Sequence, residues 1–435
     1  MKILYVSQYF PPEMGAPAAR AAELARHWVN DGHDVTVLTG FPNHPTGVVP
    51  PEYRKQFRRL VTREVWNGVR LVRTWLLPIP NRKPYERMLN YSSFCVSSAL
   101  TGLFVRKPDV LIATSPQLLV ALSGWWLGAL RRVPFVFEVR DLWPESLAAV
   151  GVGEGNSPLN WLLGKIAGFL YRRSDHIVVV TEAFKTFLIE NWKVPAEKIS
   201  VIENGVETEM FSPQPDAATK KRELGLEGKF LVCYVGTMGL AHGLETLIQA
   251  AEVLRTENPQ VQFLLVGEGA DKERIEGLAR ERGLTNMTFL GQQPRETIPL
   301  FISASDACLV MLKKTDLFKT VIPTKMLEFM SCARPVILAV DGQAREIMEA
   351  GGAGIFVEPE SAQQLVEAVQ RLSSDPELCE SLGRSGREHI VKHFSRQQTA
   401  RDYLEILDEV LAGGTKRPGR RLQVVQEKDK QIPQG

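Results

Sequence analysis

Short runs of apolar and often β-branched residues recur along the whole chain, separated by longer amphipathic stretches. The first half contains seven such runs: Lys2–Val6, Asp34–Leu38, Val69–Trp75, Asp109–Ala113, Pro134–Val139, His176–Val180 and Ile199–Ile202. The second half contains six more: Phe230–Val235, Val261–Val266, Met287–Leu290, Asp306–Met311, Pro335–Ala339 and Gly354–Val357. Runs that are apolar at nearly every position predict strands covered on both faces, as in parallel sheets. Their spacing fits right-handed β-α-β crossovers, so the pattern predicts an α/β fold.

The two halves repeat the same plan, and a turn signal separates them. Asn204-Gly205 follows the seventh run, and the stretch after it lacks clear periodicity. Asn-Gly pairs favour turns between elements. We therefore predict two doubly wound parallel-sheet domains of Rossmann type, residues 1–203 and 204–394. They should face each other across a cleft, with a hinge around 204–212.

The chain continues beyond the last predicted strand. Ser395 is a typical N-terminal capping residue for a helix that runs to about Leu411. We expect this helix, 395–412, to pack back on the first domain. Residues 413–435 have the composition of a disordered basic tail.

Two long apolar stretches bear on membrane contact. A membrane-spanning helix needs roughly 18 apolar residues, and neither Tyr91–Val105 nor Leu118–Leu130 reaches that length. Each stretch predicts either a buried helix or a helix that lies on a membrane surface. The first residues, likewise, hold too short an apolar run for a signal peptide and suit a first buried strand.

Composition narrows the class of protein. Of 435 residues, 44% are hydrophobic and 23% are charged, which are values of globular proteins and exclude wholesale disorder. The five cysteines are dispersed and form no C-x-x-C motif. This distribution argues against a disulfide scaffold or a zinc ribbon and favours a reducing, cytoplasmic compartment.

Charge is distributed unevenly along the chain. Residues 1–203 hold 24 Lys and Arg against 17 Asp and Glu, although the net charge of the whole chain is only +2. Residues 54–87 alone contain ten basic residues against Glu64 and Glu86. Such a stretch fits nucleic acid, anionic lipid, a phosphorylated substrate or an ordinary solvated surface.

Ligands of open parallel sheets bind beyond the carboxyl ends of the strands, so the residues that follow each strand are candidates. In the first domain Gly15 lies near a helix start, where backbone N–H groups can bind an anion. His44 follows the second strand, and Arg140-Asp141 follow the fifth run of the first half. An Arg-Asp pair facing a cleft fits either a catalytic site or a structural salt bridge.

A glycine-rich junction follows the first strand of the second domain. It contains Gly236, Thr237, Gly239 and His242, and its glycines suit a backbone cradle for phosphate. His242 is either a phosphate donor or a surface histidine. The G-x-G-x-x-G, Walker A, G-x-S-x-G and metal-ligand motifs are absent from the sequence, so no metal site is predicted.

Three further junctions of the second domain complete the candidate site. Backbone groups at Gly267 and Leu290 can bond a planar base. Pro323-Thr324-Lys325 precede Glu328 in a predicted helix, which Thr324 caps and whose first turn holds Lys325 and Glu328. There Lys325 can reach a diphosphate, and Glu328 can accept hydrogen bonds from a ribose diol. A plain capping box is the alternative interpretation.

Together these motifs resemble the retaining glycosyltransferases of family 4, which have the GT-B fold. The motifs that carry the resemblance, over about residues 1–412, are Gly15, Ile202–Val206, Phe211-Ser212-Pro213, Val235–Gly239, Val266–Gly269, Pro323–Met330 and Arg334–Ile337. The segments 139–146 and 40–45 look like those of bacterial N-acetyl-L-fucosamine transferases of O-antigen and capsule assembly.

The resemblance implies a UDP-sugar donor in the second domain and an acceptor in the first. Glu328 matches the second Glu of the family's Glu-x7-Glu motif, whereas Thr320 stands where the first is expected. Thr237 and His242 occupy positions at which many members have Arg and Lys for the diphosphate. Arg140 stands where the family often has a histidine.

The family's usual chemistry needs neither a metal nor another cofactor. The resemblance implies a glycan or a polyprenyl-diphosphate-linked acceptor and no nucleic acid partner. A lipid-linked acceptor would place the protein on the inner face of the plasma membrane, with residues 54–87 in contact with anionic lipid. Two other functions fit the same architecture. One is a sugar-nucleotide 2-epimerase, and the other is a binding protein without catalytic activity.

Overall fold

The computed structural model describes residues 1–13, 15–44, 46–80, 84–145 and 158–413. Within them the chain forms two α/β domains, each built on one sheet. The first sheet has the strand order β3-β4-β2-β1-β5-β6-β7-β8. Its strands are β1 (Lys2–Val6), β2 (Asp34–Gly40), β3 (Val61–Trp66), β4 (Val69–Thr74), β5 (Val110–Thr114), β6 (Phe135–Val139), β7 (His176–Val179) and β8 (Ile199–Val201).

The edge strand β3 departs from the sequence prediction of uniformly parallel strands. It pairs antiparallel with β4, from Val61 opposite Thr74 to Trp66 opposite Val69. The sequence pattern misses β3 because three consecutive polar residues, Thr62, Arg63 and Glu64, interrupt its apolar run. The other seven strands are parallel to one another and lie where the apolar runs predict them.

Helices cover both faces of the first sheet. The helices of this domain are α1 (Ala16–Asn30), α2 (Arg54–Phe57), α3 (Pro84–Gly102), α4 (Leu119–Arg131), α5 (Pro158–Arg173) and α6 (Glu182–Trp192). Helices α3 to α6 contribute to one apolar core, and α1 packs into another on the opposite face. The two apolar stretches of the sequence thus form α3 and α4, which are helices buried on one side only.

The second sheet is parallel throughout, with the strand order β11-β10-β9-β12-β13-β14. Its strands are β9 (Phe230–Val235), β10 (Val261–Val266), β11 (Met287–Gly291), β12 (Ala307–Met311), β13 (Val336–Ala339) and β14 (Gly354–Phe356). Its helices are α7 (Ala217–Glu223), α8 (Glu245–Glu257), α9 (Lys272–Glu281), α10 (Ile298–Ala304), α11 (Thr324–Ser331), α12 (Gln343–Ala350), α13 (Ala362–Ser374) and α14 (Pro376–His393). Two apolar cores lie on the two faces of this sheet.

The chain crosses between the domains twice, and the two crossings lie side by side. Val206 donates its N–H to the Phe394 carbonyl and accepts from the Arg396 N–H. The last helix, α15 (Arg396–Leu411), begins at Ser395, whose hydroxyl accepts from the Gln398 N–H. It lies on α1, where Trp28 donates to the Ala400 carbonyl at 3.0 Å. The hinge therefore contains two segments of the chain, because the last helix returns to the first domain, as the sequence predicts.

The structure describes the predicted basic surface but not the predicted basic tail. Residues 414–435 lie outside the described residues. Within 54–87, Arg73 is buried and bonded to Glu64 and to the Pro11 carbonyl, and Arg70 is paired with Asp34. These two side chains point into the domain or are neutralised, so the stretch is not one continuous basic surface. No described helix is long and apolar enough to cross a bilayer.

Candidate nucleotide-sugar site

Three strand-end loops of the second domain stack against one another through their backbones. The Gly236 N–H donates to the Val266 carbonyl, and the Gly267 N–H donates to the Gly291 carbonyl. A Cβ on Gly267 would lie 2.0 Å from the Gly236 oxygen, and the φ of Gly267 is +144°. Only glycine permits both this backbone conformation and this close approach. The Leu290 carbonyl accepts from the Gln293 side chain, so it is already engaged.

The glycine-rich junction is partly closed by its own histidine. The Gly239 N–H donates to His242 Nδ1 at 3.2 Å. Burial, with Lys325 nearby, lowers the pKa of His242 to about 4, so the ring is neutral at physiological pH. The Gly239 N–H is thus engaged by a ring of its own loop, and donation from His242 to a phosphate stays a prediction. Thr237 uses its carbonyl to accept from the Tyr234 hydroxyl.

Helix α11 begins one residue earlier than the sequence suggests, and this places Glu328 one position further from the helix start. Pro323 is the N-cap and Thr324 is the first helical residue, so Thr324 does not cap the helix. Glu328 lies in the second turn, and the first turn contains no acid. The helix dipole acts within the first turn, so it does not stabilise the Glu328 carboxylate as expected.

Lys325 is the cation that these loops surround. Its ammonium lies 4.0 Å from the centre of the Tyr234 ring and beside Gly236, where an added Cβ would be 3.2 Å away. Nζ is buried and has no hydrogen-bond partner among the described residues. Burial lowers the pKa of Lys325 to about 7, although Glu328 opposes that effect. An unpaired buried amine costs stability unless a ligand satisfies it.

Glu328 lies on the same helix and faces the first domain. Burial raises the pKa of its carboxyl to about 7, and Arg295, whose Nη1 lies 3.5 Å from Glu328 Oε1, is the main opposing influence. Arg295 also donates to Glu23 of α1 at 2.5 Å. Glu23 in turn accepts from Arg396. The carboxylate is thus linked to the first domain through one arginine.

Sequence reasoning missed Arg295 and Glu23. Arg295 does follow a strand end, four residues after Gly291, so its position was a usable signal. Glu23 carried none, because it lies in the middle of a helix and 272 residues from its partner. Thr320, where the family's first Glu is expected, donates to the carbonyl of Leu317 in its own turn.

In the first domain, Arg140 reaches the start of α1. Its Nη2 donates to the Ala16 carbonyl at 3.3 Å, next to Gly15, and its backbone N–H donates to Ser115. Nε and Nη1 are buried without partners among the described residues. Burial, together with Arg20, lowers the pKa of Arg140. The predicted candidates Gly15 and Arg140 are therefore brought together.

Asp141 and His44 belong to an aromatic cluster at the same edge of the sheet. The rings of Tyr9 and His44 lie 5.2 Å apart, and Tyr91 packs on Trp143 at 6.4 Å. The Tyr9 and Tyr91 hydroxyls are hydrogen-bonded to each other. Burial raises the pKa of Asp141 to about 6.

Buried Glu13 fixes the loop that carries His44. Glu13 accepts the backbone N–H groups of Asn43 and His44 at 2.8 and 2.9 Å. Sequence analysis did not single out Glu13, because nothing in the sequence places it beside that loop. The described residues contain no group of three or more His, Cys, Asp and Glu side chains arranged to hold a metal ion.

The two halves of the site carry complementary chemistry. Lys325 and Arg140 lie at strand ends of the two domains, and each has buried donor atoms without a partner among the described residues. Helix α1 contacts both sides, since Ala16 accepts from Arg140, and Glu23, seven residues later, accepts from Arg295, which lies beside Glu328. Such cations stabilise negative charge that develops on a phosphorylated leaving group. The aromatic cluster of the first domain is largely buried: Tyr9 and Trp143 are each 8% exposed, and Tyr91 is half-buried.

Comparisons with known proteins agree with this division. The family model "Glycosyl transferase 4-like domain" matches residues 15–205, and the model "Glycosyl transferases group 1" matches residues 216–389. The two matches thus meet at the crossing between the domains.

Two bacterial relatives span much of the chain. The putative colanic acid biosynthesis glycosyl transferase WcaI of Escherichia coli is 28% identical over 424 residues, covering 93% of this chain and 99% of its own. The probable glycosyltransferase WbjE of Pseudomonas aeruginosa is 24% identical, covering 70% of this chain and 75% of its own.

Solved structures share the fold over nearly the whole length. Sucrose-phosphate synthase from Thermosynechococcus elongatus superposes with a TM-score of 0.74 at 21% identity, covering 95% of this chain and all of its own. Anabaena HepE, solved in complex with UDP-glucose, has a TM-score of 0.70 at 19% identity, covering 94% of this chain and all of its own. The chain belongs to the GT-B glycosyltransferases of family 4.

Proposed function

We propose that this glycosyltransferase moves a sugar from a UDP-sugar to a lipid-linked or oligosaccharide acceptor in bacterial surface polysaccharide assembly. The reaction retains the anomeric configuration, needs no metal ion and takes place at the cytoplasmic face of the membrane. The observation that carries the proposal is the buried, unpaired Lys325 ammonium, which lies beside the Gly236 loop on the same helix as Glu328.

The relatives support a role in polysaccharide assembly and a UDP-linked donor. WcaI is named for colanic acid biosynthesis, and HepE was solved with UDP, with UDP and glucose, and with UDP-glucose. The resemblance of segments 139–146 and 40–45 to N-acetyl-L-fucosamine transferases makes a UDP-linked N-acetylhexosamine the first donor to test.

Donor binding follows from the chemistry of the second domain. In the proposal the Lys325 ammonium, which has no hydrogen-bond partner among the described residues, donates to the diphosphate. Lys325 provides the positive charge, because His242 is neutral and Thr237 is uncharged. Glu328 accepts from the ribose hydroxyls, and Arg295 favours the charged form of its carboxyl. The stacked loops at Gly267 and Leu290 hold the base.

Transfer then requires one bond to form and one to break on the same face of the sugar. The acceptor hydroxyl oxygen bonds to the anomeric carbon while the bond from that carbon to the diphosphate oxygen breaks. The acceptor proton passes to the departing diphosphate. Lys325 and Arg140 stabilise the leaving anion, which makes a metal ion unnecessary for charge neutralisation. This scheme needs no pair of catalytic carboxylates, in contrast to glycoside hydrolases.

Acceptor binding is assigned to the aromatic cluster of the first domain. In the proposal the acceptor sugar packs on the outer edge of this cluster, where Tyr91 is half-buried and Tyr9 and Trp143 are each 8% exposed, and Asp141 lies near Tyr91. Asp141 and His44 orient the acceptor hydroxyl in this scheme.

The decisive experiment is a screen of nucleotide sugars by thermal stabilisation, with chelator present throughout. A bound UDP-sugar at 100 times its dissociation constant adds about 2.7 kcal/mol to stability. We expect UDP-sugars to raise the melting temperature of the wild-type protein and not of a Lys325→Ala variant. Lys319→Ala, an exposed lysine of the neighbouring turn, is the matched control and should behave as wild type.

Two outcomes would reject the proposal. If no nucleotide sugar stabilises the protein, it is not a UDP-sugar transferase. If a UDP-sugar incubated alone is converted into its epimer, the protein is an epimerase of the same fold. A requirement for Mg²⁺ or Mn²⁺ in turnover would reject only the metal-independent mechanism.

A further inference from the structure

The solvent-facing side of α3 is apolar at most positions, with exposed Ser92 as its polar interruption. Tyr85, Leu89, Val96 and Leu100 are 51–61% exposed, and Phe104, just after the helix, is 78% exposed. Their spacing of four or seven residues places them in one stripe. Residues 88–105 contain no charged side chain. The outer face of a helix at a protein surface is normally charged or polar, so this stripe indicates a partner.

Helices α4 and α5 extend the same surface. Trp126 and Leu130 of α4 and Trp161 and Leu162 of α5 are exposed, and with the α3 stripe they make nine of the sixteen exposed large hydrophobic residues in the described part of the chain. The three helices form one layer on the sheet. Ser98 bonds to Ser123 between α3 and α4, and the rings of Trp125 and Phe169 meet at 4.7 Å between α4 and α5.

Basic residues flank this apolar layer, and most of them lie at or just after the C-terminal ends of its helices. Helices α3, α4 and α5 carry five basic residues and one acid, Glu86: the basic residues are Arg87, Arg131, Lys165, Arg172 and Arg173. Arg106, Lys107 and Arg132 follow directly after α3 and α4 and are exposed. Lys165 lies over the Trp161 ring at 5.6 Å. Exposed aromatic and aliphatic side chains flanked by Lys and Arg suit the headgroup region of an anionic bilayer.

We infer that the outer face of α3, α4 and α5 docks the protein on an anionic lipid surface. A second copy of the chain fits less well, because a symmetric contact through this face would oppose the two basic rims. Helices that lie in the headgroup region bind a membrane without crossing it.

The position of this face deepens the proposed function, on which the next step rests. Tyr91 of the aromatic acceptor cluster belongs to α3 and packs on Trp143 at the cleft. Docking through α3 therefore holds the acceptor cluster close to the membrane, where a lipid-linked sugar is found. The stretch 54–87, where Arg73 is buried and Arg70 is paired, is the weaker candidate for this contact.

Co-sedimentation with vesicles tests the inference. We expect the full chain to bind vesicles of phosphatidylglycerol mixed with phosphatidylcholine more tightly than vesicles of phosphatidylcholine alone. A Val96→Asp/Leu100→Asp variant should lose at least about tenfold in vesicle affinity, because it removes buried apolar groups and adds repelled charge. The matched control is Val253→Asp/Val391→Asp, which alters exposed valines of the second domain and should bind as wild type.

Further measurements distinguish the α3–α5 face from the basic stretch 54–87 and from a dimer interface. Changing Arg54, Lys55, Arg58 and Arg59 to Ser should have the smaller effect. The inference is overturned if the α3 variant binds vesicles as wild type, if the control variant loses binding equally, or if ultracentrifugation shows a dimer that only the α3 variant abolishes. Equal melting temperatures of the variants establish folding. Donor stabilisation is measured on the same samples, so loss of vesicle binding with donor binding intact rejects the docking face alone.

Discussion

Two buried groups of opposite charge type, Lys325 and Glu328, occupy consecutive turns of α11. Burial brings both pKa values to about 7, from above for the amine and from below for the carboxyl. The sequence correctly singled out both residues as neighbours on one helix. It misplaced Glu328 in the first turn, because the N-cap is Pro323 and the helix start cannot be read to one residue from propensity.

These pKa values predict a bell-shaped pH dependence of UDP-sugar binding. Above about pH 7 the free protein loses the Lys325 proton that the diphosphate needs, and below about pH 7 Glu328 gains the proton that blocks its acceptor role. Affinity should therefore be greatest near pH 7 and fall on both sides. Calorimetric titration with a UDP-sugar between about pH 5 and about pH 9 measures the profile.

Single substitutions assign the two limbs of that profile. Glu328→Gln should abolish the fall in affinity below about pH 7, and Lys325→Met should abolish the fall above about pH 7. Lys325→Met should also weaken binding by about tenfold to a hundredfold, as expected for loss of a charged hydrogen bond. If affinity still falls on both sides of about pH 7 in both variants, other groups control donor affinity.

At the scale of elements, strands were the most predictable feature and loops the least. All thirteen predicted strands are present, since unbroken apolar runs leave few alternatives for a chain segment. The strand-end loops depend on contacts between distant residues. Gly239 was expected to offer its N–H to phosphate, and instead it donates to His242, which no spacing rule reveals.

The stacked loops predict opposite effects for two glycine-to-alanine changes. Gly267→Ala places a Cβ against the Gly236 carbonyl at a positive φ, so we expect it to lower the free energy of unfolding by at least about 2 kcal/mol. It should also weaken UDP-sugar binding, because the loop at Gly236 must shift. Urea unfolding and thermal shift measure the two effects.

Gly277 provides the matched control within α9. An added Cβ there meets nothing within 4 Å, and the residue has helical neighbours on both sides. Gly277→Ala should raise the free energy of unfolding by about 1 kcal/mol through helix propensity. Equal effects at the two positions would contradict the stacking argument.

Two carboxylates tie α1 to the second domain: Glu23 of α1 accepts from Arg295, and Glu207 pairs with Arg26 and His27 of α1. Glu23 bonds to both Arg295 and Arg396, and Arg396 is only 3% exposed. Glu23→Ala leaves Arg396 buried without its partner, so we expect a loss of about 3 kcal/mol in unfolding free energy, measured in urea.

An exposed ion pair supplies the comparison for Glu23. Glu380 pairs with Arg384 on the surface of α14, and both side chains are more than half exposed. Glu380→Ala should change stability by less than about 1 kcal/mol. If Glu23→Ala is equally mild, the link between the domains does not hold α1 in place.

At the scale of the whole molecule, the first domain is completed by the end of the chain. Helix α15 covers α1, and Trp28, Tyr403 and Leu407 are buried between them. The rings of Trp28 and Tyr403 meet at 5.2 Å. The sequence suggested this return from the position of the last helix, and the reason is physical, since α1 would otherwise expose an apolar face.

This arrangement predicts that residues 1–203 do not form a stable domain alone but do so when joined to 395–413. Each large side chain uncovered by removing α15 costs about 2 kcal/mol, so the isolated fragment should melt at least about 10 °C below the joined one. A short glycine linker suffices, because the crossings at Val206 and Ser395 already pair with each other. Circular dichroism on heating compares the two fragments. If the isolated fragment 1–203 melts cooperatively at the same temperature as the joined fragment, then α15 does not contribute to the stability of the first domain.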